Sequence, residues 1–229
     1  WLVNGRLAIL YYQVGRLTDG AALHLGVIEK DPMIPGPYAF AATALSNLRR
    51  VQEADALLKE AADRWPANPF IWSATYDHLL FSGRPASAAA LVMDPEARPS
   101  GMGDAETQSF LRLASAVEHR RPDEVGSVIQ GLIRIAQSEV RAISSVAPLF
   151  ALLGRPDLTF ASLDRYLLNR GSFGSSSPIG PHTRRFTDSL FSAPMASVRG
   201  DPRFRQLTSA IGLDDYWTSL GRSPPYARA

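Results

Sequence analysis

Four histidines, His24, His78, His119 and His182, are spread along the chain, and none has a second histidine at metal-ligand spacing. A catalytic zinc needs several such donors converging on one point, so no metal centre is expected. Asp77 and His78 are adjacent, but successive helical residues diverge by about 100°, so they do not face a common proton. Ser175–Ser177 lie in the stretch GSFGSSSPIGP, which lacks the G-x-S-x-G context of an activated serine. No Gly-Lys-Ser/Thr follows that stretch, so it is no phosphate loop. Gly101-Met102-Gly103 likewise lacks the third glycine and preceding strand of a dinucleotide fingerprint. Glu53, Asp55, Glu60 and Asp63 suit a solvated helix face rather than a general acid–base pair. Without cysteine there is no thiol nucleophile, iron–sulfur cluster or disulfide. These residues predict neither a catalytic centre nor a cofactor, and the expected activity is binding.

Charge narrows the partner. The chain has 229 residues, with 24 Lys plus Arg against 22 Asp plus Glu, a net charge of +2. Arg184, Arg185, Arg199, Arg203 and Arg205, beside Phe186 and Phe204, form one local basic patch. No second basic stretch extends it, so it reads as caps and ion pairs and not as a nucleic-acid surface. No apolar run reaches the 18 or more residues of a membrane span, so no insertion of these residues is expected. The chain opens at Trp1 in a helical pattern and reads as a fragment of a longer protein. A cytoplasmic location is favoured, or a periplasmic one if a membrane helix lies upstream.

The elements come from a 34-residue period over the first hundred residues. Pro32 and Pro66 are 34 apart, as are Gly20, Ala54 and Ala88, and Ala8 and Ala42. Tyr11, Leu45 and Leu79 share another phase; Gly15 and Gly83 are two periods apart. Each unit is predicted to hold two amphipathic helices joined by a tight turn. Gly-Arg at 15, Gly-Arg-Pro at 83 and Gly-Arg-Pro-Asp at 154 read as helix stop followed by helix start. The small residues mark close helix crossings. Pro95 stops its helix early, and Pro148 is expected to kink or end another.

This pattern resembles the tetratricopeptide repeat family. The resemblance covers three units over residues 1–102, with Trp72, Leu79, Gly83 and Ala88 most recognisable, and two degenerate helix pairs over 103–170. Residues 171–181 form a loop, and 182–229 a helical cap whose string DPRFRQLTSAIGLDDYWTSLG is similar to the end of the repeat-containing half of bacterial winged-helix transcriptional regulators. The resemblance implies an all-α fold, a right-handed α-solenoid of helix pairs, with His24 packing where the family has an aromatic.

The family's groove positions fall here on Leu2, Ile9, Tyr12 and Gln13, on Ala39, Thr43, Ser46 and Asn47, on Phe70, Ser73, Asp77, Leu80 and Phe81, and on Phe110, Ala114 and Val117. The expected ligand positions are Tyr12, Gln13, Thr43, Asn47, Phe70, Ser73, Asp77, Phe81 and Phe110. The groove lacks the Lys/Asn/Arg set that grips a C-terminal carboxylate in chaperone-binding members. The implied function is a non-catalytic scaffold for a protein or peptide, such as a module of the same full-length chain, within a larger bacterial signalling or regulatory protein. Two other readings stand beside it: a homodimerisation module, and a small-molecule binder or enzyme with a site between the last repeats and the cap.

Ala54→Leu tests the crossing. Overpacking there should destabilise by about 1–3 kcal/mol in urea unfolding, and a variant that melts like the parent removes that phase from the packing.

Overall fold

The structure, a computed structural model, describes residues 2–139, 142–171, 173, 180 and 185–226, apart from the side chain of Leu2. Ser175–Ser177, His182, Arg184 and most of the 171–181 loop lie outside the described residues. Those described are all-helical, with no strand. The helices are α1 Leu2–Gln13, α2 Leu17–Lys30, α3 Pro35–Asn47, α4 Val51–Arg64, α5 Pro69–Phe81, α6 Pro85–Met93, α7 Asp104–His119, α8 Pro122–Ser138, α9 Ala142–Leu152, α10 Pro156–Leu168, α11 Pro202–Ala210 and α12 Leu213–Ser219. Two 3-10 helices, Asp188–Phe191 and Ala193–Val198, precede α11. The chain divides into two compact units, one of residues 1–12 and 16–128, the other of 13–15 and 129–229.

Proline and left-handed backbone place the helix ends. Six of these helices begin on proline, at 35, 69, 85, 122, 156 and 202, where the missing N–H has no intrahelical partner to lose. Between paired helices one residue turns left-handed: Gly15 (φ 79°), Arg49 (φ 62°), Gly83 (φ 80°), Arg120 (φ 54°) and Gly154 (φ 70°). The first three are 34 residues apart. The next N–H reaches back to a carbonyl five residues earlier, from Arg16 to Tyr11 (2.8 Å), Arg50 to Leu45 (2.9 Å), Arg84 to Leu79 (2.9 Å) and Arg155 to Phe150 (2.8 Å). This bond closes the last helical turn.

In the first unit α3 packs against α2, α4 and α5, and α6 against α5 and α7. The small residues sit at the crossings: Ala8, Ala42, Ala54, Ala61 and Ala88 are wholly buried. A Cβ on Gly20 would lie 2.3 Å from the Tyr12 ring and 3.0 Å from the Ala8 carbonyl. Tyr38, Leu58 and Ile71 fill the space between these helices, with Ile28, Leu57 and Trp65 at the margin. In the third pair Tyr76 takes the phase of Ala8 and Ala42. It is buried, and its hydroxyl donates to the Phe110 carbonyl at 2.7 Å. Helix α6 stops at Met93, short of Pro95, as expected.

In the second unit α9 packs on α10 and on both 3-10 helices. Leu190, Phe191, Met195, Phe150 and Leu163 make its centre. Pro148 does not end α9, which runs on to Leu152. Buried Val146, Ala147, Phe150 and Ala151 hold the turn around it, and their packing outweighs the lost bond of about 3 kcal/mol. Asp201 caps α11, its carboxylate accepting the Arg203 N–H at 2.9 Å. Gly15 lies beneath Phe191, whose ring a Cβ would meet at 2.5 Å. The Trp217 indole donates to the Val14 carbonyl at 3.0 Å.

Nothing lies within 4 Å of a Cβ built on Gly83. Gly83→Ala should therefore lose about 1–2 kcal/mol through backbone strain alone, and Gly83→Asn less. Equal urea midpoints for the parent and the alanine variant would contradict the left-handed turn.

Candidate functional site

Helix α5 presents a stripe to solvent. Phe70, Ser73, Asp77 and Phe81 recur at i, i+3, i+7 and i+11, the spacing of one helix face. Phe70 is 66% exposed, Ser73 and Asp77 are exposed, and Phe81 is half-buried. The opposite side of α5, through Ile71, Ala74, His78 and Leu80, is buried. Asn68 fixes the start of the stripe, its side-chain oxygen accepting the N–H groups of Phe70 (3.0 Å) and Ile71 (3.3 Å). On neighbouring α3, Thr43 is exposed and Asn47 half-buried, one 34-residue period before Asp77 and Phe81.

These six of the nine expected positions share the α3/α5 surface; the other three are engaged elsewhere. Tyr12 is buried, lies across Gly20, and its hydroxyl is hydrogen-bonded with His24 Nδ1 at 2.8 Å. Gln13 belongs to the second unit, where its side-chain amide donates to Asp188 at 3.0 Å and its carbonyl accepts from the Thr187 hydroxyl. Phe110 sits edge-on to Trp72 (5.0 Å) and Tyr76 (4.7 Å) and packs α7 onto α5. Ala39, Ser46, Leu80, Ala114 and Val117 are also buried.

Asp77 is the unusual member of the stripe. It makes no hydrogen bond or ion pair among the described residues. It reaches solvent, yet the protein around it desolvates its carboxyl and pushes it up to about 7.

A second cluster escaped the sequence reading. The Ser46 hydroxyl lies 2.5 Å from His78 Nδ1, and His78 Nε2 lies 2.9 Å from Asp55. Arg84 reaches Asp55 at 2.9 and 3.2 Å and His78 Nε2 at 2.7 Å. Burial would raise the Asp55 carboxyl, but hydrogen bonds from Arg84 and His78 hold it below its usual range. Burial lowers the His78 imidazole, and Asp55 offsets part of that. Glu53, Glu60 and Asp63 do stand on a solvated face, each paired with a cation, and Asp55 at its edge is part-exposed while bonded to His78 and Arg84. Hydroxyl, imidazole and carboxylate in file are the parts of an activated nucleophile. Here Ser46 is buried, and its hydroxyl is also shared with the Ala42 carbonyl at 2.8 Å. The cluster joins α3, α4 and α5 from inside.

In the second unit a half-open cavity of about 730 Å³ is lined by Arg199, Asp201, Phe204, Arg205, Asp214 and Tyr226, with no histidine. Tyr226 donates to Asp214 at 2.7 Å across it. Two of the described arginines of the C-terminal patch have local partners. Arg203 pairs with Asp201 and Asp157, and Arg199 donates to the Ser192 carbonyl. Among the described residues no group of three His, Asp or Glu could hold a metal ion, and no helix is long and apolar enough to cross a membrane.

Burial pushes the His24 imidazole down to about 4, against a small opposing effect of the Gly5 carbonyl. The unfolded chain then binds a proton that the fold refuses, so stability falls as pH drops from about 6.5 towards 4, by at most about tenfold in the folding constant per pH unit. His24→Phe removes this group and leaves the Tyr12 hydroxyl without its hydrogen-bond partner. The variant should be less stable than the parent at pH 7.5, with the gap narrowing by pH 4.5 in urea unfolding. A gap independent of pH would mean that His24 is not held neutral.

Comparison with known proteins found no matching family model, no matching curated relative and no matching solved structure.

Proposed function

We propose that the chain is a non-catalytic binding module. In this reading residues 1–102 form a right-handed, tetratricopeptide-like α-solenoid, and the α3/α5 surface is its concave groove and docks a protein or peptide segment. Support for the repeat comes from the left-handed residues 34 apart and from the buried small residues at a fixed phase. The observation that carries the docking is Phe70: a large aromatic two-thirds exposed on a helix otherwise buried behind it. Large apolar rings left in water on a small-polar surface are common anchors for partners. The likeness of residues 201–221 to the ends of bacterial regulators supports a regulatory part of a larger signalling protein.

A random dodecapeptide library displayed on phage and selected on the full chain tests the docking. Phe70→Ala should weaken the selected peptides by about fivefold or more, with unfolding free energy within about 0.5 kcal/mol of the parent. Binders indifferent to Phe70→Ala would place docking elsewhere.

Self-association has its own observation. On α1, Val3 is 79% exposed, Leu7 37% and Leu10 55%. One period later Pro37, Ala41 and Ala44 are buried in α3, which packs on α2. If copies pair through α1, sedimentation should show a concentration-dependent dimer that Leu10→Glu dissociates. A monomer at every concentration would refute it.

A further inference from the structure

We propose, resting on the peptide-docking reading above, that the α5 stripe selects an extended segment bearing a basic side chain: Arg or Lys meets Asp77, with an apolar residue three positions to one side against Phe70 and another two positions to the other side against Phe81.

The spacing follows from geometry. Phe70 and Asp77 are seven residues apart on α5, about 10 Å at 1.5 Å per residue. Asp77 and Phe81 are four apart, about 6 Å. An extended peptide advances about 3.3 Å per residue, so three and two of its residues span these gaps. The pattern along the partner is apolar–x–x–basic–x–apolar, in either chain direction.

The sign follows from what surrounds Asp77. Helices α3 and α6 carry no charged residue. The other titratable groups on α5 are Tyr76 and His78: Tyr76 is bonded to the Phe110 carbonyl, and His78 is buried with Ser46 and Asp55. On α4 the carboxylates already have cations, Glu53 with Arg50, Asp55 with Arg84, Glu60 with Arg64 and Asp63 with Lys59. Helix α7 carries charges of both signs, Asp104, Glu106, Arg112, Glu118 and His119, and none bonds Asp77. Arg49, in the turn after α3, reaches the far end of the stripe and donates to the Phe81 carbonyl at 3.3 Å, but it makes no ion pair with Asp77, so Asp77 is a carboxyl without a bonded counter-charge. Desolvation that disfavours its ionised form is relieved by a cation, which regains Coulomb energy in a medium less polar than water. An acidic segment meets repulsion, and a neutral one removes water without compensation. The exposed Phe70 ring accepts an aliphatic side chain, while Ser73, Thr43 and Asn47 are short enough to leave room between the anchors.

The dodecapeptides selected on the full chain at pH 7.5 are measured by fluorescence anisotropy against the parent, Asp77→Asn and Phe70→Ala. The apolar–x–x–basic–x–apolar pattern should be enriched, and Asp77→Asn should weaken those peptides about tenfold. Replacing the basic residue with norleucine should give the same loss on the parent and little further loss on Asp77→Asn. Peptides that need Phe70 but ignore Asp77→Asn would overturn the charge selection and leave docking intact. An absence of enriched peptides, or peptides indifferent to both substitutions, would overturn docking and the selection with it.

Discussion

Close approach between helices is the constraint on which the first unit rests. At Gly20 there is no room for one methyl group, because the Tyr12 ring and the Ala8 carbonyl already occupy the place of a Cβ. That closeness lets the Tyr12 hydroxyl reach His24 one turn further along α2. It also brings Phe40 within 5.3 Å of the His24 ring in a stacked arrangement, so the crossing inside one pair positions the contact with the next. Ala54 and Ala88 keep the same phase small in the following pairs. Where the facing phase grows to Tyr76, the extra hydroxyl is buried and must find an acceptor. It takes the Phe110 carbonyl, so the departure from a small residue sets where α7 sits.

Charge is distributed to match. Helices α3 and α5 lie between neighbours and are almost uncharged, α3 with no Asp, Glu, Lys or Arg and α5 with only Asp77; α1 carries only Arg6, whereas α7 carries charges of both signs. Second helices meet water on one side and carry their charges in short-range pairs such as Arg50–Glu53 and Lys59–Asp63. Such exposed pairs contribute little stability each, but on α4 they give every carboxylate a cation. The single carboxylate of α5 therefore stands out physically, as does the apolar outer face of α1, whose composition is that of a helix with neighbours on both sides.

Much of this was legible in the residues. Prolines and glycines announce helix ends because they change the backbone itself, and the small-residue period survives because a crossing tolerates nothing larger. Arg49 gave no such mark: an arginine in the left-handed region looks like any arginine, and only its place midway between Gly15 and Gly83 gives it away. The face of each aromatic was harder to read. Tyr12, Phe70 and Phe110 have similar bulk, and a step of about 100° decides which is core and which is surface. The Ser46–His78–Asp55 cluster was hidden because its members are 23 and 32 residues apart and meet only through the stacking of helices. The segment DSLFSAPMASV has no helical period, since 3-10 turns place side chains at a different angle, so the centre of the second unit could not be anticipated.

Asp77 and His78 show how one helical step separates structure from function. His78 turns inward and is itself buried, and both its ring nitrogens have partners. A file of serine, imidazole and carboxylate is reactive only where a substrate can reach the hydroxyl, and Ser46 is enclosed, so the arrangement spends its hydrogen bonds on holding α3, α4 and α5 together. Asp77 turns outward with no partner. Both groups are perturbed by desolvation, but His78 has its interactions completed within the fold and Asp77 does not. A perturbed group whose bonds are complete stabilises a structure; one whose bonds are open has binding energy left for something else. By that criterion the outward residue, not the triad-like cluster beside it, is the one proposed to meet a partner.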